Sequence, residues 1–438
     1  MFPMDRNGRE LRNKLAPKLI GVVMATVMAF GVVAGIGSNV ASAQVSSKYD
    51  ASIDATLADI QNFWSQEMPD VYGQQYAAIP TDRIYPYSQS NPPPNCDDGG
   101  KTKAPYQDVA GNAFYCSNGD FVAYDEQGLL PKLRDNFGEF AVGLVFAHEL
   151  GHAVQARVGY QPSATVYMEQ QADCFAGAWA QHVADSSDEN VHLSRDDLDN
   201  ALAGLLTLSD PSGTDGGQDG AHGNGFDRVS AFQDGYEGGA KACADYQNNP
   251  PAITETGYSS YEDQATDGNL PLDQLIPTVT KSLDDYWTSQ SSKLTAPTVN
   301  AGGATTGDGT DGGVLSDAVT YQPSDNTVHY DAATMQSVHD NIGDFGSGML
   351  VATAWASSVE HQLGKAVGTD AARRGAECLA GAWAANTSSS LSPGDLDEAV
   401  TVLVAAGKGS TDRGTAFERV AAFRDGFKNG PSKCVQSS

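Results

Sequence analysis

The amino-acid sequence predicts an α+β fold that occurs twice in the chain, and three observations support this prediction. Apolar residues recur at helical spacing over residues 139–158, and Gly159, a residue type that commonly ends helices, follows them. Residues 114–125 are typical of a β-hairpin with Asn118 and Gly119 at its turn. Blocks of similar sequence then return in the same order about 200 residues later, a period that indicates duplicated domains rather than a solenoid.

Two further helices are predicted after residues 139–158. Residues 166–184 are rich in alanine and other apolar residues, which is typical of a helix that packs against others. Ser194 is a favoured N-cap residue and is followed by Asp196 and Asp197, so a third helix is expected to begin there. Ser392-Pro393 opens the corresponding helix in the second half of the chain.

The duplication rests on four pairs of matching blocks. The pairs are 60–64 with 283–287, 134–147 with 339–352, 172–180 with 376–384, and 228–243 with 419–434. Between the two sets, two prolines and a polar run interrupt all periodicity. We therefore predict a first segment at residues 50–246, a linker at 247–270 and a degenerate second segment at 271–436.

The composition is that of an acidic globular protein. The chain has 438 residues, with 55 Asp and Glu against 26 Lys and Arg, which gives a formal net charge of −29. Such a charge repels phosphate backbones, so nucleic acid is excluded as a class of partner. We interpret the charge as a contribution to solubility.

The N-terminal region has the three parts of a secretory signal peptide. Basic residues between Arg6 and Lys18 precede an apolar run over 19–36, and the small residues 41–43 resemble a signal peptidase site. Cleavage before Gln44 would remove residues 1–43. The alternative is an uncleaved anchor, since about 18 apolar residues are near the lower limit for spanning a bilayer. Both alternatives place the remainder in the cell envelope or outside the cell, with membrane contact only through this segment.

Six cysteines fit an oxidising compartment, and the duplication indicates how they pair. Two cysteines of the first segment recur at the same block positions in the second, whereas the other two are both lost there. Cysteines that are kept together or lost together are most simply bonded together. The predicted disulfides are Cys96–Cys116, Cys174–Cys243 and Cys378–Cys434.

The sequence HELGH at residues 148–152 has the spacing of a zinc-protease motif. Residues four apart share one face of a helix, so His148 and His152 can direct their imidazoles at one ion. Glu149 is placed to reach a metal-bound water without binding the metal. Because a catalytic zinc needs a third protein ligand, we predict Glu169 in that role. Asp173 lies one turn further on and is expected to hold a ligand histidine through its free N–H.

The second segment lacks these residues although the blocks around them persist. His148, Glu149, His152 and Glu169 align with Thr353, Ala354, Ser357 and Arg373. A motif that arose by accident on an ordinary helix would not be expected to change as one set, so the comparison favours a functional zinc site. Asp173 aligns with Glu377, which is still acidic, so this position does not distinguish a functional zinc site from an accidental motif.

His222 is a further candidate because it aligns with Arg413 in an otherwise well-matched block. A histidine lost together with the metal set can stabilise the transition state or contact substrate. A solvated loop histidine is an equally good interpretation. Tyr160 and Tyr167 are alternative groups for stabilising an oxyanion.

The first segment resembles the putative neutral zinc metallopeptidase family of bacterial envelope and secreted proteins. The resemblance covers residues 50–246 and rests on the strings AHELGHAVQ, MEQQADCFAGAWA and HGNGFDRVSAF, together with the FYC sequence before the metal helix. It implies a zincin-like, gluzincin-type fold with Glu169 as the third ligand. The second segment departs from the family at every ligand and resembles a pseudopeptidase.

The sequence thus predicts a secreted zinc endopeptidase that acts on a protein or peptide substrate. Glu149 is expected to activate a zinc-bound water for attack on the peptide bond, and the inactive second segment is expected to bind or regulate. One alternative is a noncatalytic, zinc-stabilised interaction protein of the cell envelope. Another is metal-dependent hydrolysis of a different bond, such as an envelope amide.

Overall fold

The structure, a computed structural model, describes residues 39–186, 191–218, 220–254, 257–303, 315, 318–387, 391–407 and 415–436. It is a mixed α+β fold, mostly helical with small sheets, as the sequence predicts. The helices are α1 Asn39–Tyr72, α2 Leu130–Phe137, α3 Glu139–Val158, α4 Thr165–Asp185, α5 Arg195–Thr207, α6 Gly225–Asp245, α7 Tyr261–Ala265, α8 Leu272–Gln290, α9 Ala332–Asn341, α10 Asp344–Gln362, α11 Asp370–Asn386, α12 Asp395–Gly407, α13 Ala416–Asn429 and α14 Pro431–Gln436. The strands are β1 Ile84–Tyr87, β2 Ala113–Cys116, β3 Phe121–Asp125, β4 Thr298–Ala301, β5 Val319–Gln322 and β6 Thr327–Tyr330.

Residues 79–130 form one compact unit, and the other described residues form a second. The first unit contains a three-stranded sheet in the order β1-β3-β2, with β1 parallel and β2 antiparallel to β3. Its core includes the fully buried side chains of Tyr87, Cys116 and Ala123. The disulfide Cys96–Cys116 ties the preceding loop to β2.

The hairpin of the first unit has Asn118 and Gly119 in its turn, as the sequence predicts. Cys116 pairs with Phe121, so residues 117–120 form the connection. The left-handed conformation falls on Asp120, with a φ of 50°, and not on Gly119. The Asn118 amide donates to the carbonyls of residues 96 and 97, which positions this turn against the preceding loop.

Helices α4 and α6 of the second unit cross at close range through two glycines. A Cβ on Gly177 would lie 1.9 Å from the Phe232 carbonyl oxygen, and a Cβ on Gly235 would lie 1.8 Å from the Cys174 carbonyl oxygen. Any larger residue would force the helices apart. The disulfide Cys174–Cys243 joins the same pair of helices.

Residues 271–436 contain the same arrangements as the first segment. The sheet β4-β6-β5 has the pairing of β1-β3-β2, with one parallel and one antiparallel edge. Helices α11 and α13 cross at Gly381 and Gly426, where a Cβ would lie 2.0 Å and 1.7 Å from a carbonyl oxygen of the other helix. The disulfide Cys378–Cys434 completes the three pairs expected from the sequence.

The region that the sequence predicts as a linker makes hydrogen bonds to helices at two points. Thr254 donates its N–H to Asp227 Oδ2 at 2.9 Å and its hydroxyl to Asp227 Oδ1 at 2.8 Å. Leu270 donates its N–H to Asp344 Oδ2 at 2.8 Å. The short helix α7 lies between these contacts. The domain boundary at 247–270 stays a prediction.

The predicted signal peptide lies largely outside the described residues, which begin at residue 39. Helix α1 runs through the predicted cleavage point before Gln44. No helix in the described ranges has both the length and the apolar character needed to cross a membrane. The three disulfides are typical of an extracytoplasmic environment.

A cluster of three carboxylates lies at the start of α10. Oxygen atoms of Asp344, Asp395 and Glu398 lie within 4.8 Å of one another. Glu398 accepts hydrogen bonds from the N–H groups of Phe345 at 2.8 Å and Gly346 at 3.3 Å, which are free donors in the first turn of the helix. Burial, followed by the charges of Asp395 and Asp344, raises the pKa of Glu398 to about 9.

We expect Glu398→Gln to stabilise the protein at pH 8 and to leave its stability at pH 4 unchanged. The ordinary pKa of the group is 4.5, so between this value and about 9 the native state binds the proton and the unfolded chain does not. Stability therefore falls as the pH rises through this window. Glutamine keeps an acceptor oxygen but removes the titration, so urea unfolding from pH 4 to 9 should give a flatter dependence. Asn200 occupies the matching position of the first segment, and Asn200→Ala should keep the wild-type dependence.

Candidate metal centre

Helices α3 and α4 bring the predicted ligands together. Helix α3 carries His148 and His152 one turn apart on one face and ends at Gly159, whose φ is 70°. Gly151 faces α4, where a Cβ would lie 3.3 Å from the Cα of Ala172, so the two helices are close at the level of the motif. Glu169 lies one turn earlier on α4 and points its carboxylate at both histidines.

The donor groups of the three residues lie at separations close to those of a tetrahedral zinc site, with a different carboxylate oxygen of Glu169 facing each histidine. His148 Nε2 lies 3.2 Å from His152 Nε2 and 3.2 Å from Glu169 Oε2. His152 Nε2 lies 3.5 Å from Glu169 Oε1. Ligands at the usual zinc bond lengths of about 2.0–2.1 Å are about 3.3–3.4 Å from one another in a tetrahedron. The residues present therefore fit zinc with one position left open.

Both histidines are held by their other ring nitrogen. His148 Nδ1 lies 2.8 Å from Asp173 Oδ1, and His152 Nδ1 lies 2.8 Å from Gln155 Oε1. The Gln155 amide group donates to the Met168 carbonyl at 2.7 Å, which leaves its oxygen facing the histidine. Each Nδ1 is therefore placed to donate a proton, so that each Nε2 would be the nitrogen that binds a metal in place of its own proton.

Asp173 is itself held by an arginine from α6. Arg228 Nε donates to Asp173 Oδ2 at 2.8 Å, and its Nη2 donates to Asp173 Oδ1 at 2.9 Å. Burial alone would raise the pKa of Asp173, but Arg228 and then His148 outweigh it and lower this pKa. Asp173 is therefore an ionised acceptor for the His148 N–H.

The electrostatics of the cluster favour a positive charge between its donor atoms. Burial disfavours protonation of His148, yet Asp173 and Glu169 outweigh it and raise its pKa to about 10. The pKa of His152 is also raised against burial, chiefly by Glu169. Burial would raise the pKa of Glu169, but the two histidines hold it well below its usual range. The same negative charges would stabilise a divalent cation bound between these donor atoms.

Glu149 lies on α3 beside the cluster and is buried, with 8% of its surface exposed. Its charge contributes to the raised pKa of His152, so it lies within electrostatic reach of that ligand. Its carboxylate is not part of the group of converging donor atoms among the described residues. This placement agrees with a base that acts beside a metal instead of binding it.

His222 lies in a loop that packs on the start of α4. Its Nδ1 is 3.4 Å from Asp210 Oδ1, and its backbone N–H donates to Asp210 Oδ2 at 2.6 Å. A Cβ on Gly223 would lie 3.2 Å from Val166, which is one turn before Glu169. Within the described ranges, His222 does not belong to the converging donor group. Its catalytic role stays a prediction.

The matching positions of the second segment make hydrogen bonds and an ion pair within their own helices. The Thr353 hydroxyl donates to the Met349 carbonyl at 3.0 Å, and the Ser357 hydroxyl donates to the Thr353 carbonyl at 3.1 Å. Arg373 Nη1 lies 3.9 Å from Asp370. In the part of this segment that the structure describes, no metal-binding group forms at these positions.

Sequence reasoning assigned no role to Gln155 or Arg228, the partners of His152 and Asp173. A signal for Arg228 exists in the repeat, because Arg419 occupies the same place in the matching block and pairs with Glu377. Gln155 gives no such signal, since the second segment has Glu360 there. Its role depends on the Met168 carbonyl of α4, which only the tertiary structure reveals.

We expect Asp173→Asn to lower zinc affinity by about 10–100-fold, the usual effect of losing a carboxylate that holds a ligand histidine. Glu377→Gln makes the matched change in the second segment, where Arg419 also loses its buried partner. Both variants should lose stability, but only the first should weaken zinc binding. Competition with a chromophoric chelator measures this difference, and an equal effect of both variants would contradict the role of Asp173.

Comparison with known proteins identifies a family whose sequence pattern this chain matches. Residues 18–246 match the model of a family described as putative neutral zinc metallopeptidase. "Uncharacterized protein YpfJ" of Escherichia coli strain K12 is 31% identical over 153 residues, which are 30% of this chain and 52% of that protein. "Uncharacterized protein Rv2575" of Mycobacterium tuberculosis strain H37Rv is 31% identical over 151 residues, or 29% and 52% of the two chains. The chain therefore spans about half the length of these relatives. No solved structure matches.

Proposed function

The chain belongs to the putative neutral zinc metallopeptidase family, and from this membership we propose that it is an exported zinc-dependent endopeptidase. The first segment, 50–246, would carry the active site in a gluzincin-type fold. The second segment would be a duplicated copy that has lost its ligands and acts as a pseudopeptidase. The substrate would be a protein or peptide.

One observation carries this proposal. The donor groups of His148, His152 and Glu169 converge with atom separations of 3.2–3.5 Å, Glu169 facing each histidine with a different carboxylate oxygen, while Glu149 lies beside them without joining the set. A purely structural zinc site is usually closed by four protein ligands. Three protein ligands with an adjacent buried carboxylate support a catalytic site instead.

Each residue of the site would have its own role in hydrolysis. A zinc ion held by the three ligands would supply Lewis acidity to a water molecule and to the substrate carbonyl. Glu149 would accept a proton from that water and deliver it to the leaving amine. Asp173 and Gln155 would keep the histidines in the tautomer that leaves each Nε2 unprotonated. His222 would contact substrate or stabilise the developing oxyanion.

The test combines metal analysis with cleavage of a denatured protein by the purified chain. The proposal expects one zinc per chain and cleavage that stops on chelation and returns with zinc. Cleavage that persists after complete removal of metal would contradict it. Stoichiometric zinc without cleavage of any protein or peptide would favour the noncatalytic envelope protein, and cleavage confined to nonpeptide amides would favour the other alternative.

A further inference from the structure

Helices of the two segments pack against each other within the second compact unit. Phe226, at the start of α6, lies between two rings of α13 in the second segment. Its ring centroid is 6.0 Å from that of Phe423 and 5.0 Å from that of Phe427, and both pairs meet edge to face. Such pairs stabilise beyond the area that they bury.

The same contacts occur in the opposite direction. Phe417, at the start of α13, lies 6.3 Å from Phe232 and 4.9 Å from Tyr236 of α6. The residues that correspond in the matching blocks are Phe226 with Phe417, Phe232 with Phe423, and Tyr236 with Phe427. A surface in which residue i contacts j and j contacts i is the mark of a twofold interface, here within one chain.

Two aspartates cap these helices reciprocally across the interface. Asp397 of α12 accepts hydrogen bonds from the N–H groups of Gly225 and Phe226, both at 2.7 Å. Asp199 of α5 accepts one from the N–H of Phe417 at 2.9 Å. The two aspartates correspond, since each ends the sequence Asp-Leu-Asp in its segment. Each segment therefore supplies the carboxylate that satisfies the free donors of the other's helix.

The consequences of the two caps differ. Helix α6 carries Arg228 in its first turn, and Arg228 holds Asp173, which holds the ligand His148. Asp397 is thus connected to a metal ligand through its hydrogen bonds to the first turn of α6, the Arg228–Asp173 pair on that turn and the bond from Asp173 to His148. The path from Asp199 leads through α13 to Arg419 and Glu377, which touch no metal ligand among the described residues.

We propose that the second segment is a positioning element for the metal centre, and that Asp397 is its positioning residue. By fixing the start of α6, Asp397 fixes Arg228 and with it the carboxylate that orients His148. The proposal gives the segment without ligands a defined task. It rests on the proposed function only in taking zinc as the metal.

The test compares Asp397→Ala with Asp199→Ala in the full chain. Both variants remove one carboxylate from equivalent places in the same interface, so both should lower the melting temperature by similar amounts. Asp397→Ala should raise the dissociation constant for zinc by about 10-fold, at the lower end of the effect of losing an outer partner of a ligand. Asp199→Ala should leave the dissociation constant for zinc within about twofold of the wild-type value, because Asp199 does not act on any residue that holds a metal ligand.

One further variant and one further measurement separate an effect on the metal centre from a loss of stability. Asp397→Asn retains one acceptor oxygen and should give an intermediate zinc affinity. The visible spectrum of the cobalt-substituted protein senses ligand geometry and should change in Asp397→Ala only. Equal zinc affinities and spectra in the two alanine variants would overturn the inference and leave the proposed function standing. If the wild-type protein binds zinc but cleaves no peptide, and the two alanine variants still differ as expected, the proposed function fails and the inference stands.

Discussion

Replacement of Glu149 by glutamine is expected to lower kcat for peptide hydrolysis by roughly 10²–10⁴-fold, the usual contribution of general acid–base catalysis. Glu149 is buried beside the converging donor atoms but does not join them. Glutamine has nearly the same shape and cannot accept the proton, so zinc content should stay at one per chain. Steady-state cleavage of a fluorogenic peptide, together with metal analysis of the same sample, measures both quantities.

Glu360→Gln is the matched control for this prediction. Glu360 is also a buried glutamate, and it lies on α10, the helix of the second segment that corresponds to α3. The same chemical change should leave kcat at the wild-type value. If Glu149→Gln kept kcat within about threefold of wild type, far short of the loss expected for a missing general base, another group would have to act as the base.

The parts of the site that the sequence predicts are those fixed by local spacing. The predicted helix at 139–158 has the bounds of α3, and Gly159 ends it in the left-handed conformation. Two histidines four apart on that helix must share a face, whatever packs around it. The structure then places Glu169 from α4 within 3.5 Å of both.

The remaining parts depend on contacts between distant segments, and local patterns do not encode them. Gln155 is an ordinary polar residue of an apolar helix until the Met168 carbonyl fixes its orientation. The carboxylate of Asp397 gains its role only because two segments pack face to face. The conformation of the hairpin turn also depends on such a contact, since the Asn118 amide donates to the carbonyls of residues 96 and 97.

The arginine–carboxylate pair shows how scaffold and site are related. Arg419 and Glu377 persist in the second segment, where no ligand remains, so this buried pair has a structural role of its own. Removing one partner of a buried pair is costly because it leaves an uncompensated charge. In the first segment the corresponding Asp173 has an additional contact with His148. The metal centre therefore uses an element that the fold already maintains.

Replacement of Glu169 by alanine is expected to abolish stabilisation of the protein by zinc. The change removes one of three ligands, which should weaken binding by more than the 10–100-fold typical of outer partners. A ligand that binds only the folded state stabilises it by about 4 kcal/mol at a concentration of about 1,000 times its dissociation constant. The wild-type melting temperature should therefore rise with added zinc, whereas that of Glu169→Ala should stay constant over the same titration.

Arg373→Ala changes the corresponding position of α11 and should keep the full response to zinc, because Arg373 is a half-exposed residue of the second segment, where its Nη1 lies 3.9 Å from Asp370. The pair of variants separates loss of a ligand from general damage to the helix. A zinc-dependent rise in melting temperature that is equal in wild type and Glu169→Ala would show that the ion binds elsewhere. The three-ligand centre would then have to be abandoned, since its geometry leaves the two histidines alone with the ion once the carboxylate is gone.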